Sequence, residues 1–388
     1  MKQIPPSATL AFNQKVREHV RLGKEILSLG LGEAEVTTPL HIVEAGMKAL
    51  QDGMTKYSTS QGLLSLRERI AHNIQTNHSI ASGPEQIIVT PGAKNALFLA
   101  CASLLEQGDE VVLLRPCYVS NLPILHIAGP GIKVREVDMT PGTFDLDRET
   151  LSSAVTDKTR LIFINTPHNP TGRMLSAGDI DFIAALMRRN PGLYVLSDEV
   201  YEAMVVSEQR HISLASIPDV AERVITVGGF SKTYFMTGWR IGYLHAEKAL
   251  TRSMLTIHEH INTNTAAFIQ MAAIAALDGS QDCVREYVQK LQERKTIYDS
   301  IMNLSPYLKG TNLEGGYFTF IDISTSRMDC DTFAVKLLAE KNVAVVPGLA
   351  FGRNYSDYCR LSFVNKTEIF EEGLNRIHQF METIDHDD

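Results

Sequence analysis

The chain has 388 residues, of which 44% are hydrophobic and 21% charged, and 37 Lys and Arg stand against 45 Asp and Glu for a net charge of −8. That balance excludes a disordered, collagen-like or coiled-coil chain. With no basic tract long enough to follow a phosphate backbone, it also argues against a nucleic-acid partner and for a small-molecule substrate.

The length favours two domains, or one large α/β unit with an appendage. The cysteines Cys101, Cys117, Cys283, Cys330 and Cys359 are odd in number and form no C-x-x-C pair. Neither a zinc site nor a disulfide framework is expected, and a reducing compartment fits. The opening MKQIPPSATL lacks the apolar stretch of a signal peptide, and no apolar run reaches the roughly 20 residues of a membrane-spanning helix. A cytoplasmic protein without a membrane partner is predicted.

In chain order, β-branched runs alternate with helical patterns from about residue 85, predicting strands over 87–89, 110–114, 161–164, 193–196 and 224–227. Near-continuous apolar strands separated by helices describe a mostly parallel sheet covered by helices, with ligands beyond the carboxyl ends of its strands. After about residue 285 the rhythm changes to a charged helix over 285–300 and shorter strands over 317–323, 343–346 and 359–363, which predicts a smaller α+β domain. The expected division is 46–285 for the large domain, with 1–45 and 286–388 forming the small domain and an N-terminal arm.

Each polar cluster follows one of the predicted strands. Pro91-Gly92-Ala93-Lys94 leads into an apolar helix whose first N–H groups suit a phosphate, although by itself the segment is better explained as a plain strand-to-helix turn. Asn165-Thr166-Pro167-His168-Asn169-Pro170-Thr171-Gly172 comes next, then Ser197-Asp198-Glu199-Val200-Tyr201. Gly228-Gly229-Phe230-Ser231-Lys232 and Thr237-Gly238-Trp239-Arg240-Ile241-Gly242 complete the series. In this order and spacing the motifs resemble the fold-type I pyridoxal-phosphate aminotransferases of the aspartate aminotransferase class. The resemblance runs from Gly30-Leu31-Gly32-Glu33 through Tyr57, Gly62 and Leu66-Arg67 to Val345-Val346-Pro347-Gly348, Phe351-Gly352 and Arg360-Leu361-Ser362, nearly the whole chain.

The resemblance implies an aspartate aminotransferase-like α/β fold, pyridoxal 5'-phosphate as cofactor, amino-acid and 2-oxo-acid substrates, and a homodimer with shared active sites. It makes Lys232 the residue that forms an imine with the cofactor and then acts as general base, a task that needs an amine of lowered pKa in a shielded place. Asp198 resembles the carboxylate that pairs with the pyridine nitrogen and keeps it protonated. Tyr201 and Asn169 resemble the groups that hydrogen-bond the ring hydroxyl oxygen, and Tyr118 the aromatic that stacks on the ring. Arg240 resembles the phosphate-binding arginine, helped by backbone donors at Ala93 and Lys94 and by Tyr57 from the neighbouring subunit. Arg360 resembles the clamp for the substrate α-carboxylate, with Gly32 and Asn169 beside the substrate.

Some positions depart from the pattern. Gly229 stands where many relatives carry a phosphate-binding serine, leaving Ser231, Thr226 or no hydroxyl to bond the phosphate. Gly32-Glu33-Ala34-Glu35-Val36 replaces the frequent G-E-P-D-F near the substrate side chain. His258 and His260 are expected at the surface, because i, i+2 spacing on a helix points the rings apart, and no metal site is expected. The resemblance leaves three readings in play. The first is an aminotransferase acting on aspartate, aromatic or a broad range of L-amino acids with 2-oxoglutarate or pyruvate as acceptor. The others are a carbon–sulfur β-lyase, with His168 shared by both branches and Met174 favouring transaminases, and a non-catalytic amino-acid-binding regulatory module. The last is disfavoured because the segment before Gly32 is expected not to hold a helix-turn-helix domain.

Overall fold

The computed structural model describes residues 8–21 and 23–384; residues 1–7 and 385–388, the extremes of the expected small domain, lie outside the described residues. Seven strands form the main sheet, in the order Ile87–Thr90, Gly242–His245, Val224–Gly229, Tyr194–Asp198, Thr159–Asn165, Glu110–Arg115, Lys133–Asp138. Its inner strands are buried along their length because helices cover both faces, so they read as continuous apolar runs. The α/β class and the mostly parallel sheet are as the sequence predicts.

Two strands depart from the expectation. Gly242–His245 pairs antiparallel with both Ile87–Thr90 and Val224–Gly229. It is only four residues long and begins at a glycine, so it carries little pattern. Lys133–Asp138 closes the other edge, and its charged, largely exposed residues conceal it.

Smaller sheets use the two ends of the chain. Phe318–Asp322 pairs antiparallel with Tyr358–Ser362, and Leu27–Ser28 runs parallel to Val343–Ala344. The single strand expected over 343–346 is therefore split, since Val346–Pro347 turns to join Tyr358–Ser362 instead. The charged helix extends over Asp282–Leu304 and buries Tyr287, Leu291, Arg294, Tyr298 and Ile301 on one face. Arg294 is fully buried. It donates to the Phe363 carbonyl at 2.7 Å and to Glu35 at 2.5 Å, and Tyr287 also donates to Glu35 at 3.0 Å. Glu35 is thus directed toward this helix, while Gly32 and Glu33 of the same segment line the cleft described below.

His258 corrects the sequence reading: it is buried, whereas His260 is exposed. On the helix Lys248–Ile261 it shares a face with Thr251 and Met254, and that face turns inward. Among the described residues no helix is long and apolar enough to cross a membrane.

Candidate active site

A cavity of about 420 Å³ opens at the carboxyl ends of the parallel strands and is bounded on its far side by Gly30, Gly32, Phe318 and Arg360. Its wall brings together Gly32, Ala93, Lys94, Tyr118, Asn169, Asp198, Tyr201, Lys232, Arg240 and Arg360 from segments spread over most of the chain. Of the residues that the sequence assigns to cofactor or substrate, only Tyr57 stands apart from this wall; it is 88% exposed.

Lys232 lies on a short helix, Phe230–Thr233, that directly follows the strand Val224–Gly229. Its Nζ donates to the Gly32 carbonyl at 2.5 Å, and its own carbonyl accepts from the Tyr317 hydroxyl at 2.7 Å. Burial pulls the ammonium from its usual 10.5 down to about 8; nearby Arg360 and Arg240 act in the same direction, and Glu33 and Asp198 oppose them. An amine so placed exchanges protons near neutrality.

Asp198 ends its strand and is buried, with one oxygen reached by the Val200 N–H at 3.4 Å. Desolvation raises its carboxyl from 3.8 to about 7, and the neighbouring Glu199 adds to the rise. A buried carboxylate facing a cleft with so weak a donor suits a cationic N–H supplied by a ligand.

Opposite stands Arg360, on the strand Tyr358–Ser362. Its Nη1 donates to Asn169 Oδ1 at 3.1 Å and its Nη2 to the Gly30 carbonyl at 2.9 Å, while Nε is buried without a partner. The guanidinium lies over Phe318, 3.9 Å from the ring centroid. Burial lowers its pKa to about 10, and it remains a cation at neutral pH. An unpaired buried donor on a fixed fork is suited to a carboxylate ligand.

The third feature is an anion cradle. Gly92 (φ +82°) caps the helix Ala93–Leu104, whose first N–H groups have no intrahelical acceptor. Arg240 approaches so closely that a Cβ on Gly92 would lie 2.5 Å from its Nη2. Of the two hydroxyls that could stand in for a serine at Gly229, Ser231 lines the cleft, whereas Thr226 is buried within its strand and unpartnered. A helix N-terminus with Arg240 beside it, the hydroxyl of Ser231, the buried carboxyl of Asp198 and the amine of Lys232, all lining one cleft, fit pyridoxal 5'-phosphate.

Several residues have contacts in or around the site that the motifs do not specify. Asn165 supports both motif partners: its side chain accepts from the Asn169 N–H and donates to the Asp198 carbonyl, each at 2.8 Å. Phe318 sits on the same face of its sheet as Arg360, because Phe318 pairs with Ser362 and Phe320 with Arg360. That register is the signal that would have found it, but pairing is not visible in either strand alone. Glu33 bonds Thr237 across the cleft mouth. His168 is buried, bonded to Thr171 at 2.8 Å and held neutral by desolvation, with a pKa of about 4. Met174 does not line this cleft and faces a separate cavity.

The family described as "Aminotransferase class I and II" matches residues 24–377. A protein named aspartate aminotransferase from Musicola paradisiaca is 36% identical over 97% of this chain and 94% of its own length. The structure of aspartate aminotransferase from Thermus thermophilus with maleate superposes with a TM-score of 0.90 at 32% identity, covering 98% of this chain and 100% of that one. An aromatic aminotransferase from Pyrococcus horikoshii OT3 gives 0.89 at 35% identity over 95% and 98% of the two chains.

Proposed function

The chain belongs to the class I and II aminotransferases, and from that premise we propose that it binds pyridoxal 5'-phosphate in this cleft and moves the amino group of aspartate to a 2-oxo acid such as 2-oxoglutarate. It is a transaminase; the matches favour neither a carbon–sulfur lyase nor a regulatory module. The observation that carries the proposal is the convergence of Lys232, Asp198 and Arg360 on one cavity. When bound, the cofactor supplies the aldehyde that takes up the amino group and the ring that accepts the electrons of the broken Cα–H bond.

The chain's own residues supply the rest. Arg360 holds the substrate α-carboxylate through paired N–H donors and fixes the orientation of Cα. Lys232 Nζ takes the proton from Cα, for which its lowered pKa prepares it. Asp198 holds a proton on the ring nitrogen, and the apolar side chains of Leu97, Val200 and Phe318 in the wall exclude water. Tyr118 lies against the ring, while Tyr201 and the Asn169 amide serve its hydroxyl oxygen. Arg240, Ser231 and the N–H groups of Ala93 and Lys94 take the phosphate, which leaves the Lys94 ammonium, 5.7 Å over the Tyr118 ring, as a cation for an acidic substrate side chain.

The reading extends to assembly and compartment. Tyr57 is supplied across a two-fold homodimer, supported by its 88% exposure and by the exposed apolar residues Leu40, Met47, Leu50 and Leu64 along the nearby helices. Five free cysteines, four of them buried, suit the cytoplasm. Two measurements test the proposal together. Borohydride should fix cofactor on the peptide holding Lys232, and a panel of amino donors should rank aspartate above tyrosine, with Lys94→Met reversing that order. Label on another peptide, or equal rates with both donors, would contradict it.

A further inference from the structure

A second cavity, about 540 Å³, lies behind the Lys232 helix and reaches Phe230 and Thr233 on either side of that lysine. Three side chains from distant segments meet in it: His78 at the end of the helix Leu64–His78, Glu202 in the loop beyond Asp198, and His211. One ligand atom from each lies within 4.8 Å of the other two. His78 Nε2 stands 2.8 Å from Glu202 Oε2, and the rings of His78 and His211 meet edge-on at 5.8 Å. No step of transamination uses any of them.

The geometry points to a binding site for a divalent transition cation of the zinc type, held by His78, Glu202 and His211 with one coordination position open to the cavity. His211 carries the argument. Its side chain is only 4% exposed, its Nε2 is bonded to Glu199 Oε2 at 3.0 Å, and its Nδ1 is buried with no partner. An imidazole tied by a carboxylate at one nitrogen and free at the other is the arrangement that orients a metal-binding histidine. Glu199 is in turn fixed by the hydroxyls of Ser197 at 2.7 Å and Ser213 at 2.9 Å, so the outer support is built as well as the ligands.

Charge and distance agree. Glu199 and Glu202 together bring two carboxylates to the pocket, and a dication held by neutral imidazole nitrogens offsets their charge. Closing the three donors to the roughly 2.0–2.2 Å bonds of zinc requires about 1 Å of side-chain movement or less. Two imidazoles and one carboxylate select zinc, cobalt or nickel over calcium and magnesium, which prefer oxygen ligands. A cation there joins three chain segments behind the catalytic lysine, and this inference does not depend on which substrate the enzyme uses.

The test is a titration of the full-length holoenzyme, freed of metal by a chelator, with Co²⁺. One equivalent per chain should bind, with the visible absorption of a four-coordinate cobalt centre, and Zn²⁺ should displace it and raise the melting temperature by several degrees. His78→Ala and His211→Ala should abolish the cobalt spectrum. Glu202→Gln, at a partly exposed position that spares the fold, should weaken binding at least tenfold and remove the thermal shift. Absence of bound cobalt in excess metal would overturn the assignment, and so would binding that Glu202→Gln leaves unchanged.

Discussion

Arg360 Nη1 and Asn169 Oδ1 are 3.1 Å apart, although 191 residues separate them in the chain. The bond joins the small sheet near the C-terminus to the Asn-Pro turn beyond a strand of the main sheet, within the buried wall of the cleft.

Arg360→Ala should raise KM for every amino and oxo acid by about 100-fold, on the order of 3 kcal/mol for two charge-assisted bonds. Arg360→Lys should fall between, since it keeps the charge and loses the fork. Steady-state kinetics over several substrates checks this; an effect confined to one substrate would place Arg360 at the side chain instead.

Asp198 predicts a pH dependence of the apoprotein. With its folded pKa raised from 3.8 to about 7, the folded chain keeps a proton that the unfolded chain has released between those values. The stability this contributes is fully present below 3.8 and is lost as pH rises through about 7. Asp198→Asn apoprotein, always neutral at that site, should therefore gain on the wild type by up to about 1.4 kcal/mol per pH unit across that window and level off above it. Urea unfolding at several pH values measures the difference, and the same variant should retain cofactor while losing turnover.

Two glycines should behave in opposite ways. Gly92, at φ +82° and ψ 157°, occupies backbone space essentially reserved for glycine. Gly92→Ala should cost about 1–3 kcal/mol in backbone strain and, by displacing Arg240, weaken pyridoxal phosphate binding. Gly229 is extended, with the nearest atom 3.5 Å from an added Cβ. Gly229→Ser should leave the melting temperature unchanged and tighten the cofactor by adding a hydroxyl to the phosphate end. Thermal melts and cofactor titration of the two variants decide both points.

The proposed role of Tyr57 across a dimer predicts complementation. Tyr57→Ala and Lys232→Ala subunits expressed together should recover about a quarter of the wild-type rate, because half the dimers are mixed and each mixed dimer has one intact site. A Tyr57 serving its own subunit would give no recovery. The subunits must be assembled together, since an obligate dimer exchanges slowly.

Lys232, Asp198, Asn169 and Arg240 were legible in the sequence for a local reason. Each follows an apolar strand closely in the chain, and the carboxyl ends of parallel strands face one place. The edge strand Lys133–Asp138 and the antiparallel Gly242–His245 were not legible, one because its exposed charges mask it and the other because four residues hold too little pattern. His258 was misread because the face a helix turns inward depends on what packs against it. Packing in three dimensions sets how remote segments meet: Phe318 beneath Arg360, Arg240 against Gly92, and His78 with Glu202 and His211. Such meetings arise from strand register and from packing between segments far apart in the chain, and no local pattern encodes them.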